Sequence, residues 1–188
     1  MSQMASLPNS KTVTYEEWLR MPEVDDAIEE VVDGEIQIMP PAKFEHTAII
    51  RRLCKALDVQ LDAKQFLVVD AVFGLVIRKS PLTSRVPDLA VFDLSTLVEQ
   101  DGYIHSAPQF LAEVLSPANT RREMERKLAD YAAIGVPEVW VISPEARTVE
   151  VLHLENNRLR NAQIVAQGTL TLRHFPGVQV DIATIWPD

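Results

Sequence analysis

Asp88, Glu113 and Lys127 are the residues whose types and surroundings suit chemistry best. Asp88 closes Arg85-Val86-Pro87-Asp88 and heads the apolar run Leu89-Ala90-Val91-Phe92. Glu113 lies inside the strand-like run Phe110-Leu111-Ala112-Glu113-Val114-Leu115, and Lys127 lies on the helix that follows. Two carboxylates on neighbouring strands with a lysine nearby can hold a divalent cation and assist attack on a phosphodiester. Magnesium prefers oxygen ligands and takes only one or two protein carboxylates.

Each residue also has a plainer reading. A carboxylate in a buried strand is costly unless it is paired or bound to metal, and Glu113 can be one half of a buried salt bridge with an arginine such as Arg85. Pro-Asp at a strand start is often a turn or cap. Lys127 lies three residues after Met124 and four before Tyr131, so it flanks the apolar face of its helix. Its plainer reading is an exposed pair with Glu123, and Glu123 itself completes a helix capping box. Glu30, just before Asp33-Gly34, supplies either a third carboxylate or a solvated strand residue. His46, at the start of a long helix, is a base, a phosphate contact or a surface histidine.

Other chemistries lack their motifs. The four histidines have no His-x-x-x-His spacing, and the six glycines are isolated, so there is no phosphate-binding loop. There is no Gly-x-Ser-x-Gly elbow. The single cysteine, Cys54, rules out an internal disulfide and a cysteine zinc cluster.

The positioning elements follow from periodicity. Thr14 caps a short helix over 14–20, with Glu17 completing a capping box and Pro22 ending it. Strands over 28–32 and 35–39 flank Asp33-Gly34, a two-residue hairpin signal. A helix over 44–61 carries the stripe Ile50, Leu53, Cys54, Leu57, Leu61, which makes Cys54 a small core residue. Short β-rich segments cover 65–70 and 71–77, and strands cover 85–92 and 110–115. The second of these strands is apolar enough for burial on both faces. A helix over 119–134 begins with the capping box Thr120-Arg121-Arg122-Glu123 and ends at Gly135 and Pro137. A strand at 139–142, a hairpin 148–154 with 159–166, and a short ending over 178–185 complete the chain. Mixed strands and helices imply an α/β or α+β fold.

With 188 residues, 47% of them hydrophobic, the chain suits a single domain over 12–188 behind a flexible tail over 1–11. No stretch approaches the roughly 20 apolar residues that span a bilayer. The start lacks a secretory pattern, so a cytoplasmic location without membrane association is expected. The formal net charge of −9 argues against a broad, non-specific DNA coat, which relies on basic residues, although it permits a local basic groove.

Several blocks together resemble one family. Arg85-Val86-Pro87-Asp88-Leu89-Ala90-Val91, Glu113-Val114-Leu115-Ser116-Pro117, Lys127 with Tyr131, and Gly135-Val136-Pro137-Glu138-Val139-Trp140 resemble the Uma-two family of restriction endonuclease-like proteins. Glu30-Val31-Val32-Asp33-Gly34-Glu35, His46 and Phe175-Pro176-Gly177-Val178 fit the same pattern, and the likeness runs from about Thr12 to Ile185. The resemblance implies a PD-(D/E)XK nuclease-like fold, a mixed central sheet flanked by helices. It implies Mg2+ or Mn2+ on Asp88 and Glu113, with Glu30 as a further acid. The wider superfamily places a lysine two residues after the second acid, where this chain has Leu115; the resemblance moves that role to Lys127. Arg85, His46 and Glu123 are then outer or substrate contacts.

The implied activity is metal-dependent hydrolysis of DNA phosphodiesters without an organic cofactor. The alternative is a non-cleaving nucleic-acid-binding or regulatory module on the same fold. A homodimer suits cutting of both strands, with Trp186 or the C-terminal hairpin as exposed apolar contacts.

Overall fold

The computed structural model describes residues 12–22, 28–39, 41–70, 73–116 and 120–187. The tail expected over 1–11, the start of the segment expected over 71–77, and Asn119 lie outside them. In chain order the elements are α1 (Tyr15–Trp18), β1 (Ile28–Val32), β2 (Glu35–Met39), α2 (Phe44–Asp58), β3 (Phe66–Val69), β4 (Leu75–Lys79) and β5 (Leu82–Arg85). There follow β6 (Leu89–Asp93), β7 (Glu99–Gln100), β8 (Tyr103–Ile104), β9 (Phe110–Val114), α3 (Arg121–Ala133), β10 (Glu138–Ser143), β11 (Thr148–Glu155), β12 (Arg158–Val165), β13 (Thr169–Thr171) and β14 (Gln179–Asp181). A 3-10 turn over Ile182–Thr184 follows.

The strands form two six-stranded sheets and one pair. The first sheet runs β2-β1-β5-β4-β8-β7 and the second β12-β11-β10-β9-β6-β3. In the second, β9 and β10 are parallel and their other neighbours antiparallel. Side chains alternate across a strand, and β9 divides accordingly. Phe110, Ala112 and Val114 pack with Ile49, Leu53, Cys54 and Leu57 of α2 and with the C-terminal residues Leu170 to Trp186. Leu111 packs with Met124 and Tyr131 of α3. Glu113 therefore falls on the face that α3 covers.

The Asp33-Gly34 hairpin forms as expected, with φ of 53° and 82° at its two residues, the left-handed pair that a tight two-residue connection requires. Both capping boxes, Thr14 with Glu17 and Thr120 with Glu123, are complete. Cys54 is buried in the core.

Three expectations are corrected. The strand expected over 85–92 is β6 from Leu89 on, and Arg85 instead closes β5, a strand of the other sheet. β5 ends at Arg85 and β6 begins at Leu89. Pro87, between them, has no N–H for a ladder and restricts Val86. The helix expected over 44–61 ends at Asp58. Trp186 is not an exposed contact: it is buried in the core that α2 helps to build. Strands β7, β8 and β13 have no counterpart in the sequence reading.

Candidate active site

The break between β5 and β6 is what assembles the site. Val31 pairs with Ser84 across antiparallel strands, so one step along the same ladder sets Glu30 opposite Arg85. In the second sheet Leu89 pairs with Ala112, so one step back sets Asp88 opposite Glu113. The segment Arg85-Val86-Pro87-Asp88 thus carries one residue of each pair and joins the sheets. α3 lies over Glu113 and supplies Lys127 and Tyr131.

Lys127 is buried between two acids. Its Nζ lies 2.9 Å from Glu30 Oε1 and 3.2 Å from Glu113 Oε2. Glu30 is enclosed and fully engaged. Arg85 Nη1 donates to its Oε2 at 2.8 Å, and the Val86 backbone N–H donates to its Oε1 at 3.1 Å. Arg85 also grips Asp130 of α3, through Nε at 2.9 Å and Nη2 at 2.6 Å. One planar guanidinium therefore ties β1, β5 and α3 together, as its fixed fork of donors allows. Tyr131 donates its hydroxyl to Glu113 Oε1. Asp88 Oδ2 accepts from the Val114 backbone N–H at 2.7 Å and lies 3.1 Å from His46 Nε2 of α2.

Electrostatics follow from this enclosure. Burial pushes the Glu113 carboxyl up to about 7; Lys127 and the Tyr131 hydroxyl draw it down, and the Asp88 charge adds to the rise. Burial alone would lower Lys127, but the Glu113 and Glu30 carboxylates outweigh it and hold the ammonium well above its ordinary range. Lys127 is thus a permanent buried positive charge beside three acids.

Asp88, Glu113, Lys127, Glu30, Arg85 and His46, all singled out from sequence, are brought together. Glu123 is not. Its carboxylate accepts from the Thr120 backbone N–H at 2.7 Å and from the Thr120 hydroxyl at 2.8 Å, at the exposed start of α3. The buried-pair reading of Glu113 is right in kind, but its partner is Lys127 and not Arg85. Asp130 was missed altogether. The only available signal was its place three residues after Lys127, on the adjoining face of the same helix.

The donors fit a hard divalent cation. Asp88 and Glu113 present carboxylates from opposed positions, and His46 Nε2 is a buried nitrogen with no hydrogen-bond partner among the described residues. Among the described residues no three His, Cys, Asp or Glu side chains form a ready cage. The Lys127 ammonium accounts for part of this, because it stands between Glu30 and Glu113.

The Uma2 family model, described as "Putative restriction endonuclease", matches residues 15–183. A solved structure, a "putative nuclease belonging to DUF820 from Anabaena variabilis ATCC 29413", aligns with a TM-score of 0.75 at 21% identity. The alignment covers 92% of this chain and 97% of that one. At that identity the likeness speaks for the fold, which is mixed α+β and restriction endonuclease-like. No curated protein matches the chain. Among the described residues, no helix is long and apolar enough to cross a membrane. With its family model matched over nearly the whole length, the chain belongs to the Uma2 family of restriction endonuclease-like proteins.

Proposed function

We propose that this chain is a divalent-metal-dependent endonuclease that hydrolyses phosphodiester bonds of DNA. The observation that carries the reading is the buried Lys127 ammonium, 3.2 Å from Glu113 on the face that Asp88 shares. A buried ion pair is a poor route to stability alone. Placed beside Asp88, a carboxylate that is partly exposed to solvent, it suits a phosphate.

Asp88 and Glu113 would hold Mg2+ or Mn2+. When bound, the cation lowers the pKa of water and neutralises charge on the phosphate. Lys127 donates to a phosphate oxygen and stabilises the charge that builds as the water oxygen bonds phosphorus and the leaving oxygen departs. Glu30 and Arg85 keep Lys127 from swinging away. Tyr131 holds Glu113 in one rotamer. The Val114 N–H holds one oxygen of Asp88.

Duplex DNA incubated with the protein should be cut with Mg2+ or Mn2+ and left intact with a chelator. Cutting that persists in chelator would contradict metal dependence.

A further inference from the structure

His46 is the one group at the site whose geometry the roles above do not explain. It sits in the first turn of α2, which is fixed on the core by Ile49, Leu53 and Leu57. Its Nε2 is shut off from solvent and has no hydrogen-bond partner among the described residues. Yet it stands only 3.1 Å from Asp88 Oδ2. The approach is an ion pair if the imidazole is protonated, yet among the described residues no hydrogen bond joins the two. Unless that nitrogen carries a proton, its lone pair facing a carboxylate oxygen at that range is repelled. Burying an unpaired polar atom costs about 1–3 kcal/mol besides.

A shared cation removes both objections. Two neighbouring ligands about 2.1 Å from one octahedral centre stand about 3 Å apart, without a hydrogen bond between them. The separation of His46 Nε2 from Asp88 Oδ2 matches that octahedral edge. Asp88 Oδ2 gives one lone pair to the Val114 N–H and keeps another for a cation.

We propose that His46 Nε2 and Asp88 Oδ2 are adjacent ligands of the same divalent cation, and that the imidazole makes the site favour a first-row transition ion over Mg2+. This rests on the reading of Asp88 given under Proposed function and adds the nature of the ion. Magnesium demands oxygen and dehydrates reluctantly, whereas imidazole suits transition ions. Mn2+ accepts both oxygen and nitrogen donors. It is therefore the ion that an adjacent carboxylate and imidazole suit.

The test loads the full chain with Mn2+ and reads nitrogen coupling by pulsed electron paramagnetic resonance. Histidine labelled with 15N makes the signal assignable to imidazole. Calorimetry with Mn2+ and with Mg2+ runs in parallel on wild type, His46→Asn and His46→Glu, each checked for native unfolding. Wild type should show imidazole coupling and bind Mn2+ more tightly than Mg2+. His46→Asn should lose the coupling and about tenfold or more of Mn2+ affinity, at least what loss of an outer-shell partner costs. His46→Glu should keep binding but shift it toward Mg2+, because its donor is oxygen. Mn2+ bound without nitrogen coupling, or coupling that survives in His46→Asn, overturns the ligand assignment and leaves the nuclease reading standing. Absence of any saturable cation binding by wild type overturns both.

Discussion

Lys127 Nζ stands 2.9 Å from Glu30 Oε1, closer than it stands to Glu113. Glu30 is already held by Arg85 and by the Val86 N–H. Its donors leave it little capacity for a cation, so its part is to place the lysine. Glu30→Gln should therefore lower kcat by on the order of tenfold or more, the scale of losing a positioning partner. Cation affinity measured by calorimetry should change little. Loss of cation binding in this variant would make Glu30 a ligand and contradict the assignment.

The enclosure of Glu113 predicts a pH dependence of stability. Its carboxyl titrates at about 7 in the folded chain against an ordinary 4.5. Between those values the native state keeps a proton that the unfolded chain has released. Stability should fall as pH rises through that window and level off above it, by on the order of a few kcal/mol at most. Lys127 moves the other way, but its stabilisation is fully present below its ordinary value of 10.5, so it adds no slope here. Urea unfolding of wild type and Glu113→Gln from about pH 5 to pH 8 isolates the effect. Equal slopes in the two proteins would refute it.

Arg85 bridges Glu30 and Asp130 with one guanidinium. Arg85→Lys keeps the charge and loses the fork, so it can no longer hold Glu30 and Asp130 at once. Denaturant unfolding should show a loss of about 2 kcal/mol or more. Arg51→Lys, at the exposed pair with Asp70, should lose nothing measurable. Equal effects at the two arginines would show that the enclosed network carries no special weight.

What was legible in the sequence was local. Asp33-Gly34 announced its hairpin because both residues accept positive φ, and Thr120 with Glu123 announced the start of α3 through a contact three residues apart. Asp101-Gly102 carries the same turn signal, with φ of 57° and 84°. It was passed over because the strands it joins are only two residues long and show no alternation. The pairing of Glu113 with Lys127 was half legible: a lone carboxylate in an apolar strand announces a partner but does not say which cation comes. Arg85 and Glu30 are 55 residues apart. Their meeting depends on β1 pairing with β5, a contact between strands far apart in the chain. Asp130 and the contact of His46 with Asp88 likewise arise from packing between elements, which no local pattern encodes.

Cys54 should be inert in the folded chain. Burial first, and then the neighbouring Asp70, push its thiol up to about 12. A thiol-specific reagent should fail to modify the native protein near neutral pH and should react fully once it is unfolded. Cys54→Ala should keep its cleavage and lose on the order of 1 kcal/mol of stability. Rapid labelling of the native protein, or loss of cleavage in a folded variant, would contradict a purely structural role.

The most direct test of the central claim is cleavage of plasmid, linear duplex and single-stranded DNA with Mg2+ or Mn2+ by wild type, Asp88→Ala and Lys127→Met, with folding of each confirmed. Wild type should cut only with the metal, and both variants should lose cutting by about a hundredfold or more, as removal of a preorganised charge at a reacting group does. Undiminished cutting by folded Asp88→Ala would contradict the site, and a wild type that binds DNA and the cation yet never cuts would contradict the activity.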